Sequence, residues 1–270
     1  MIHATAVIDG RAELDREVSV GPYSIIGPDV RIGAGSEVGA HVVIEGRVSI
    51  GARCRVGHGA LIGGAPQDLK YKEGRPVGVR IGDDTTIREY VTIHRATRED
   101  HDTLIGDHSL VMASSHVAHD CAIGHHVIII NYAGLTGHVT VEDYATVGGL
   151  TGVRPFVRIG AYAYVGGCSK VVQDVPPFVM VDGAPATARA VNLVGMRRGG
   201  IDGEGRRQIK SAFRILYRSG FAPSTAVSRV KAELGDHRLV GQLVEFIEAS
   251  RLGIVPAGTG DLDEEGGSEQ

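Results

Sequence analysis

The chain has 270 residues, with 28 Lys and Arg against 32 Asp and Glu, for a formal net charge of −4. That balance argues against general nucleic-acid binding, and three scattered cysteines, Cys54, Cys121 and Cys168, are too few for a disulfide framework. No apolar run approaches the ~20 residues of a membrane-spanning helix, and Ile2 already belongs to a repeat, so no signal peptide is expected and the expected compartment is the cytoplasm.

The repeat has a period of six residues. Ile2, Ile8, Leu14, Val20, Ile26, Ile32, Val38, Ile44, Ile50, Val56 and Ile62 hold one register, usually followed by a small or polar residue. The position four residues on is small or β-branched, as at Val42, Val48, Cys54 and Ala60. Six fits neither the 3.6 period of a helix nor the period of two of a plain strand. It fits a short strand and a tight turn, repeated, with three sides closing a coil of 18 residues. Successive coils then pair as parallel strands about 4.8 Å apart.

The rhythm breaks from about Gly64 to Arg80, in a charged stretch containing Tyr71, and resumes at Ile81, Ile87 and Ile93. It breaks again over Thr97 to Thr103. The first break reads as a functional loop on a rigid scaffold; the second reads more simply as a surface insertion. A second run extends from Ile105 through Val111, Val117, Ile123, Ile129, Leu135 and Val141 to Val171, and ends at Pro176-Pro177. A non-repeating link containing Gly183, Pro185 and Asn192 follows. Ile209, Ala212, Phe213, Leu216 and Tyr217 then form one face of a helix over 204–219. Ser224 or Thr225 is expected to cap a second helix through Leu234, and 238–251 reads as a third. The expected division is a β-helix over 1–180 with an excursion near 64–80, a helical domain over 190–253, and a disordered acidic tail over 254–270.

The coil length places distant residues together. His119 stacks under Gly137, Asp120 under His138, and Arg154 follows one coil on, so all five share one corner of the prism. Such a set suits two chemistries. A zinc site wants three or four converging ligands. A transferase wants an imidazole as base, a carboxylate to orient it and a backbone N–H near the developing oxyanion; His119, Asp120 and Gly137 offer these. A γ-class carbonic anhydrase-like metalloenzyme is the metal-dependent alternative, although it wants a longer spacing than His116-x-x-His119.

Several stretches carry a more specific resemblance: Gln67-Asp68-Leu69-Lys70-Tyr71, Ile87-Arg88-Glu89, Val91-Thr92-Ile93-His94-Arg95, His116-Val117-Ala118-His119-Asp120-Cys121, Gly137-His138-Val139 and Val165-Gly166-Gly167-Cys168-Ser169. Over residues 1–252 the chain resembles the UDP-N-acetylglucosamine acyltransferases of lipid A biosynthesis, hexapeptide-repeat enzymes. The resemblance implies a left-handed parallel β-helix followed by a small C-terminal α-helical domain, assembled as a homotrimer with sites between subunits. It implies transfer of a 3-hydroxyacyl group from acyl carrier protein to the 3-position of UDP-N-acetylglucosamine, with no cofactor beyond the donor's own phosphopantetheine and no metal. His119 would be the general base, Asp120 its orienting carboxylate and the Gly137 N–H the oxyanion donor. Asp68, Lys70, His116, His138, Arg154, Asn192 and Arg198 would contact substrates, and Gly167 would set acyl length. The basic residues Arg197, Arg198, Arg206, Arg207, Lys210 and Arg214 suit the acidic carrier protein. One departure stands out. Family members commonly carry His-Gln where this chain has Arg154-Pro155, which leaves a UDP 3-amino sugar, and hence N-acylation, as an alternative acceptor.

Overall fold

A turn every sixth residue leaves room only for very short strands. The computed structural model describes residues 1–74, 76–99 and 101–258, and its strands are mostly two residues long, beginning with Val7–Ile8, Glu13–Leu14 and Ser19–Val20. Each pairs in parallel with the strand one coil on: Val7 with Ile25, Ile25 with Val43, His116 with Gly134. Three sheets result. The first face has nine strands, from Val7–Ile8 to Lys170–Val171; the second has eight, from Glu13–Leu14 to Arg158–Ile159; the third has ten, from Ser19–Val20 to Ala186–Val191. The architecture is a left-handed parallel β-helix.

The register residues point inward. Ile26, Ile44, Ile62, Ile93, Val117, Leu135 and Val153 form one buried column down the first face. Full burial of such side chains is worth about 1.5–3 kcal/mol each. At the small position the hydroxyls close the turns: Ser24 Oγ donates to the Gly39 carbonyl at 2.7 Å and Ser115 Oγ to that of Ile130 at 3.1 Å. Cys54 and Cys121 occupy the same kind of position and are buried. Burial pushes the Cys121 thiol up to about 11, which keeps it protonated and inert.

Each corner puts one residue in the left-handed backbone region. Asp120 (φ 58), His138 (φ 53) and Phe156 (φ 69) lie between the first and second faces. His108, His126, Tyr144, Tyr162 and Phe178 lie between the second and third. Asp and His are among the side chains that tolerate this region best.

The last coil is shorter than the rest. Ile159 bridges to Val175 and Tyr164 pairs with Met180, each sixteen residues on, across a corner made by Pro176-Pro177. The chain then folds back as an antiparallel hairpin of Val179–Gly183 and Ala186–Val191, where the sequence suggested an irregular link. A period of two was present there: Val179, Val181, Ala186, Ala188 and Val191 are all buried.

Four helices follow: α1 (Leu193–Arg198), α2 (Gly203–Arg218), α3 (Pro223–Leu234) and α4 (Arg238–Glu248). In α2 the expected face of Ile209, Ala212, Phe213 and Tyr217 is buried, and the Asp202 side chain caps the Gly205 N–H at 2.8 Å. Helix α3 begins at Pro223 with no side-chain cap, so Ser224 and Thr225 lie inside its first turn. The fixed φ of proline suits that first position. Helix α4 stops at Glu248, short of Arg251, because Ser250 turns away to donate to Asp174 Oδ2 at 2.7 Å. Helix α1 is too short to show a periodicity in the sequence.

The tail boundary at 254 is corrected. Ile254 bridges to Asp174 and Ala257 to Ala188, and the Gly258 N–H donates to the Ala188 carbonyl at 2.9 Å. These residues find backbone partners along the last coil and the hairpin; 259–270 lie outside the described residues. Among the described residues no helix is long and apolar enough to cross a membrane.

Candidate active site

Both breaks in the repeat leave the coil at the same corner. Leu61–Gly64 ends on the first face and Gly78–Ile81 resumes on the second; Thr92–His94 and Asp102–Ile105 bracket the other break in the same way. The next two coils place His119-Asp120 and Gly137-His138 at that corner, since His116 pairs with Gly134 and Val117 with Leu135. The corner is therefore a stack of two loops under two tight turns.

His119 Nδ1 and Asp120 Oδ2 are 2.8 Å apart. A carboxylate can only accept, so Nδ1 carries the proton and Nε2 keeps its lone pair. The Asp120 side chain is 1% exposed and that of His119 14%. The carboxylate is held from below by the second loop. Thr97 Oγ1 donates to Oδ2 at 2.6 Å, the Thr97 N–H lies 3.1 and 3.2 Å from the two oxygens, and the Arg98 N–H reaches Oδ1 at 3.4 Å. The Asp120 N–H donates to Thr103 Oγ1 at 3.0 Å. Burial works to raise the Asp120 carboxyl, but the bonds from Thr97 and His119 outweigh it and hold the group below the ordinary carboxylate range.

Gly137 sits against the base. Its φ is 111, and a Cβ placed there would lie 3.1 Å from both Cε1 and Nε2 of His119. No larger residue fits without moving the ring. A backbone hydrogen bond from Gly137 helps oppose the effect of burial on the Cys121 thiol.

Three more imidazoles surround the pair. His138 meets the His119 ring edge-on at 5.0 Å, with Nε2 3.7 Å from Asp120 Oδ2, and its own face is covered by Phe156 at 4.5 Å. His116 Nδ1 is 2.7 Å from Thr92 Oγ1, and His94 meets His116 edge-on at 4.8 Å. Burial keeps all three below the usual imidazole range, His94 down to about 4. His94 Nδ1 is buried with no partner.

The first loop is tied to the root of the second through Arg95. Its guanidinium donates to the Gly63 carbonyl at 2.8 Å, to Tyr71 Oη at 2.9 Å and to both Glu73 oxygens at 2.8 Å. Within the loop, Asp68 Oδ1 accepts from the Lys70 N–H at 2.9 Å, and the Asp68 charge favours protonation of His138. A cleft of about 1150 Å³ is lined by Arg31, Arg47, Glu73, Arg95 and Asp102 among others, and does not include His119 or Asp120. The imidazole cluster stands at the corner between the first and second faces.

Of the residues singled out by sequence, His116, His119, Asp120, Gly137 and His138 come together. Arg154 lies exposed on the same corner, one coil on. Asn192 does not join them within the chain: it is buried, its Oδ1 caps the Gly195 N–H at 2.9 Å, and its Nδ2 donates to the Tyr162 carbonyl at 2.8 Å. Arg198 ends α1, exposed. Gly167 lies at the third corner, where an added Cβ would meet the Gly149 carbonyl oxygen at 3.3 Å. Of the basic residues, Arg207 is paired with Glu204 and Arg206 donates to the Ile201 carbonyl. Sequence reasoning missed Thr97 and Thr103. The available signal was the position of the second break, one coil beneath Asp120.

His119, Asp120 and His138 present ligand atoms within 4.8 Å of one another, the one such group among the described residues that could hold a metal. The Asp120 lone pairs, however, already receive Thr97, Arg98 and His119. A cation there would have to displace those donors, so the donor set suits an oriented imidazole better than a metal.

The chain is similar to known proteins over nearly its whole length. The C-terminal region, 174–255, matches the family model described as UDP N-acetylglucosamine O-acyltransferase, domain 2, and 11–46 and 29–64 match the bacterial transferase hexapeptide model. The chain is 50% identical over 254 residues to the acyl-[acyl-carrier-protein]–UDP-N-acetylglucosamine O-acyltransferase of Thermodesulfovibrio yellowstonii, covering 94% of this chain and 98% of that one. It is 43% identical to the enzyme of the same name from Saccharophagus degradans, covering 94% and 98%. The crystal structure of the Francisella novicida UDP-N-acetylglucosamine acyltransferase superposes with a TM-score of 0.92 at 35% identity, covering 96% of this chain and 95% of that one.

Proposed function

The chain belongs to the family of acyl-[acyl-carrier-protein]–UDP-N-acetylglucosamine O-acyltransferases, and we infer from that premise that it catalyses their reaction. It transfers a 3-hydroxyacyl group from acyl carrier protein to the 3-hydroxyl of UDP-N-acetylglucosamine, the first step of lipid A biosynthesis. The observation that carries the mechanism is the 2.8 Å contact of His119 Nδ1 with Asp120, which leaves Nε2 as a base. Nε2 takes the proton of the sugar hydroxyl as its oxygen attacks the thioester carbonyl. Asp120 stabilises the imidazolium, and the Gly137 N–H donates to the developing oxyanion. Collapse breaks the C–S bond, and His119 returns the proton to the leaving phosphopantetheine sulfur. A carbon–oxygen bond replaces a carbon–sulfur bond, with no redox change.

Asp68, Lys70, His116 and His138 would hold the acceptor. A corner is a poor container for two large substrates, so the second wall of the site is supplied by a neighbouring copy in a homotrimer. That copy's surface would bring in Arg198 and Gly167, which lie apart from the corner within one chain, with Gly167 leaving room for a long acyl chain, while Asn192 would act by holding the start of α1. The exposed arginines of the helical domain would meet the acidic carrier protein in the cytoplasm. The reaction calls for no cofactor beyond the donor's own arm. The relatives' names favour the 3-hydroxyl acceptor over the 3-amino sugar, and Arg154-Pro155 is read as a change in how that acceptor is gripped. Mass spectrometry of products from 3-hydroxyacyl carrier proteins of several lengths tests this: UDP-N-acetylglucosamine should gain one ester-linked acyl group. Acylation of the 3-amino analogue alone, or of neither, overturns it.

A further inference from the structure

We propose that Thr97 is a positioning residue for the acyl transfer, and that the short excursion carrying it serves to hold the Asp120 carboxylate. The proposal rests on the reading of His119 as the base. In the second run a tight turn suffices at this corner. Before that run, between Thr92–His94 and Asp102–Ile105, the connection is longer, and Thr97 and Arg98 aim a hydroxyl and two amides at one carboxylate. Asp120 is 1% exposed on its side chain, where an ionised carboxylate with a single partner is costly or becomes protonated. A protonated Asp120 could turn its O–H towards Nδ1 instead of accepting from it. The imidazole would then be free to carry its proton on Nε2, and the lone pair needed for catalysis would be lost. The shortest of these contacts, 2.6 Å from Thr97 Oγ1, reaches the same oxygen, Oδ2, that orients His119. Thr97 thus acts through Asp120 and touches no reacting atom itself.

Thr97→Val removes the hydroxyl and keeps the shape and both amides. Its kcat should fall about tenfold with KM for UDP-N-acetylglucosamine within about twofold. With one donor gone, the carboxylate charge is less compensated and makes His119 more basic. The acid limb of kcat/KM, and the His119 titration followed by NMR of its ring proton, should both move to higher pH by about half a unit. Thr97→Ser, which restores the hydroxyl, should recover most of the lost rate and both pH positions. An unshifted titration with kcat within twofold of the parent overturns the proposal, as does a serine variant as impaired as the valine one. If the valine variant fails to fold, Thr97→Ala is judged by the same readouts. The NMR titration needs no turnover, so it tests the clamp separately from the reaction: an inactive parent protein would refute the proposed function and leave the titration to decide the role of Thr97.

Discussion

Two corners of the same prism use the same backbone and end up with different chemistry. Between the second and third faces, His108, His126, Tyr144, Tyr162 and Phe178 stack ring on ring, at 4.8, 4.6, 4.8 and 5.8 Å, nearly parallel. Between the first and second faces, the corner is broken twice by loops, the rings of His94, His116, His119 and His138 meet edge-on, and a buried carboxylate lies among them. Both corners hold non-glycine residues at φ near 55–70, so backbone strain does not distinguish them. What differs is the supply of donors. An unbroken turn satisfies its own groups and leaves its side chain to stack. A broken turn releases backbone amides and hydroxyls that can be aimed at a neighbour. A histidine on one corner therefore packs against its neighbours, and on the other it is set beside a buried carboxylate.

The most severe test exchanges one histidine from each corner. His119→Ala should lower kcat by about 10³-fold, while His126→Ala on the ladder should leave kcat within about twofold and cost only some melting temperature. Equal losses would mean that the corners are not functionally distinct. Retained turnover in His119→Ala would remove the base assignment.

A gentler change at the active corner tests the packing around the base. Gly137→Ala puts a Cβ 3.1 Å from the His119 ring at φ 111, a region costing a non-glycine residue about 1–3 kcal/mol. The ring or the turn must move, and kcat should fall about a hundredfold with a lower melting temperature. An alanine variant with parental kcat would mean that the ring has slack and that Gly137 is not needed beside it.

Much of this corner was legible because the period is strict. Once six residues make a side, His119 must lie beneath Gly137 and Asp120 beneath His138, and the structure places them so. Phe156 over His138 follows from the same count. What the pattern could not show was contact across a break. Thr97 lies 23 positions before Asp120, not 18, because the excursion adds residues. Its function is visible only once both breaks are assigned to one corner. Asn192 illustrates the opposite limit: its side chain is occupied as a helix cap and a tie to the Tyr162 carbonyl, commitments that depend on a hairpin outside the six-residue rhythm.

The buried imidazole of His94 separates the corners by acidity. Its folded pKa is depressed from 6.5 to about 4 by burial and by the neighbouring His116. Between those values the unfolded chain binds the proton and the folded chain does not, so stability falls as pH drops from 6.5 towards 4 and levels off below. The contribution is roughly 2–3 kcal/mol. His94→Gln should flatten that part of the curve of unfolding free energy against pH, measured by urea denaturation, and a curve parallel to the parent's would show that His94 is protonated in the fold.

The smallest effects compare rings of like role. Tyr144 lies in the ladder, 38% exposed, between His126 and Tyr162; Phe156 covers His138 and is 62% exposed. Truncating either to alanine removes stacking worth about 1 kcal/mol of stability. The consequences for turnover should diverge. Without Phe156 the His138 ring loses the face that fixes its plane beside Asp120, and KM for UDP-N-acetylglucosamine should rise about threefold to tenfold. Without Tyr144 the kinetics should not change. If Phe156→Ala also leaves KM untouched, His138 is held by Asp120 and His119 alone, and the stacked ring at the active corner serves the same purpose as those in the ladder.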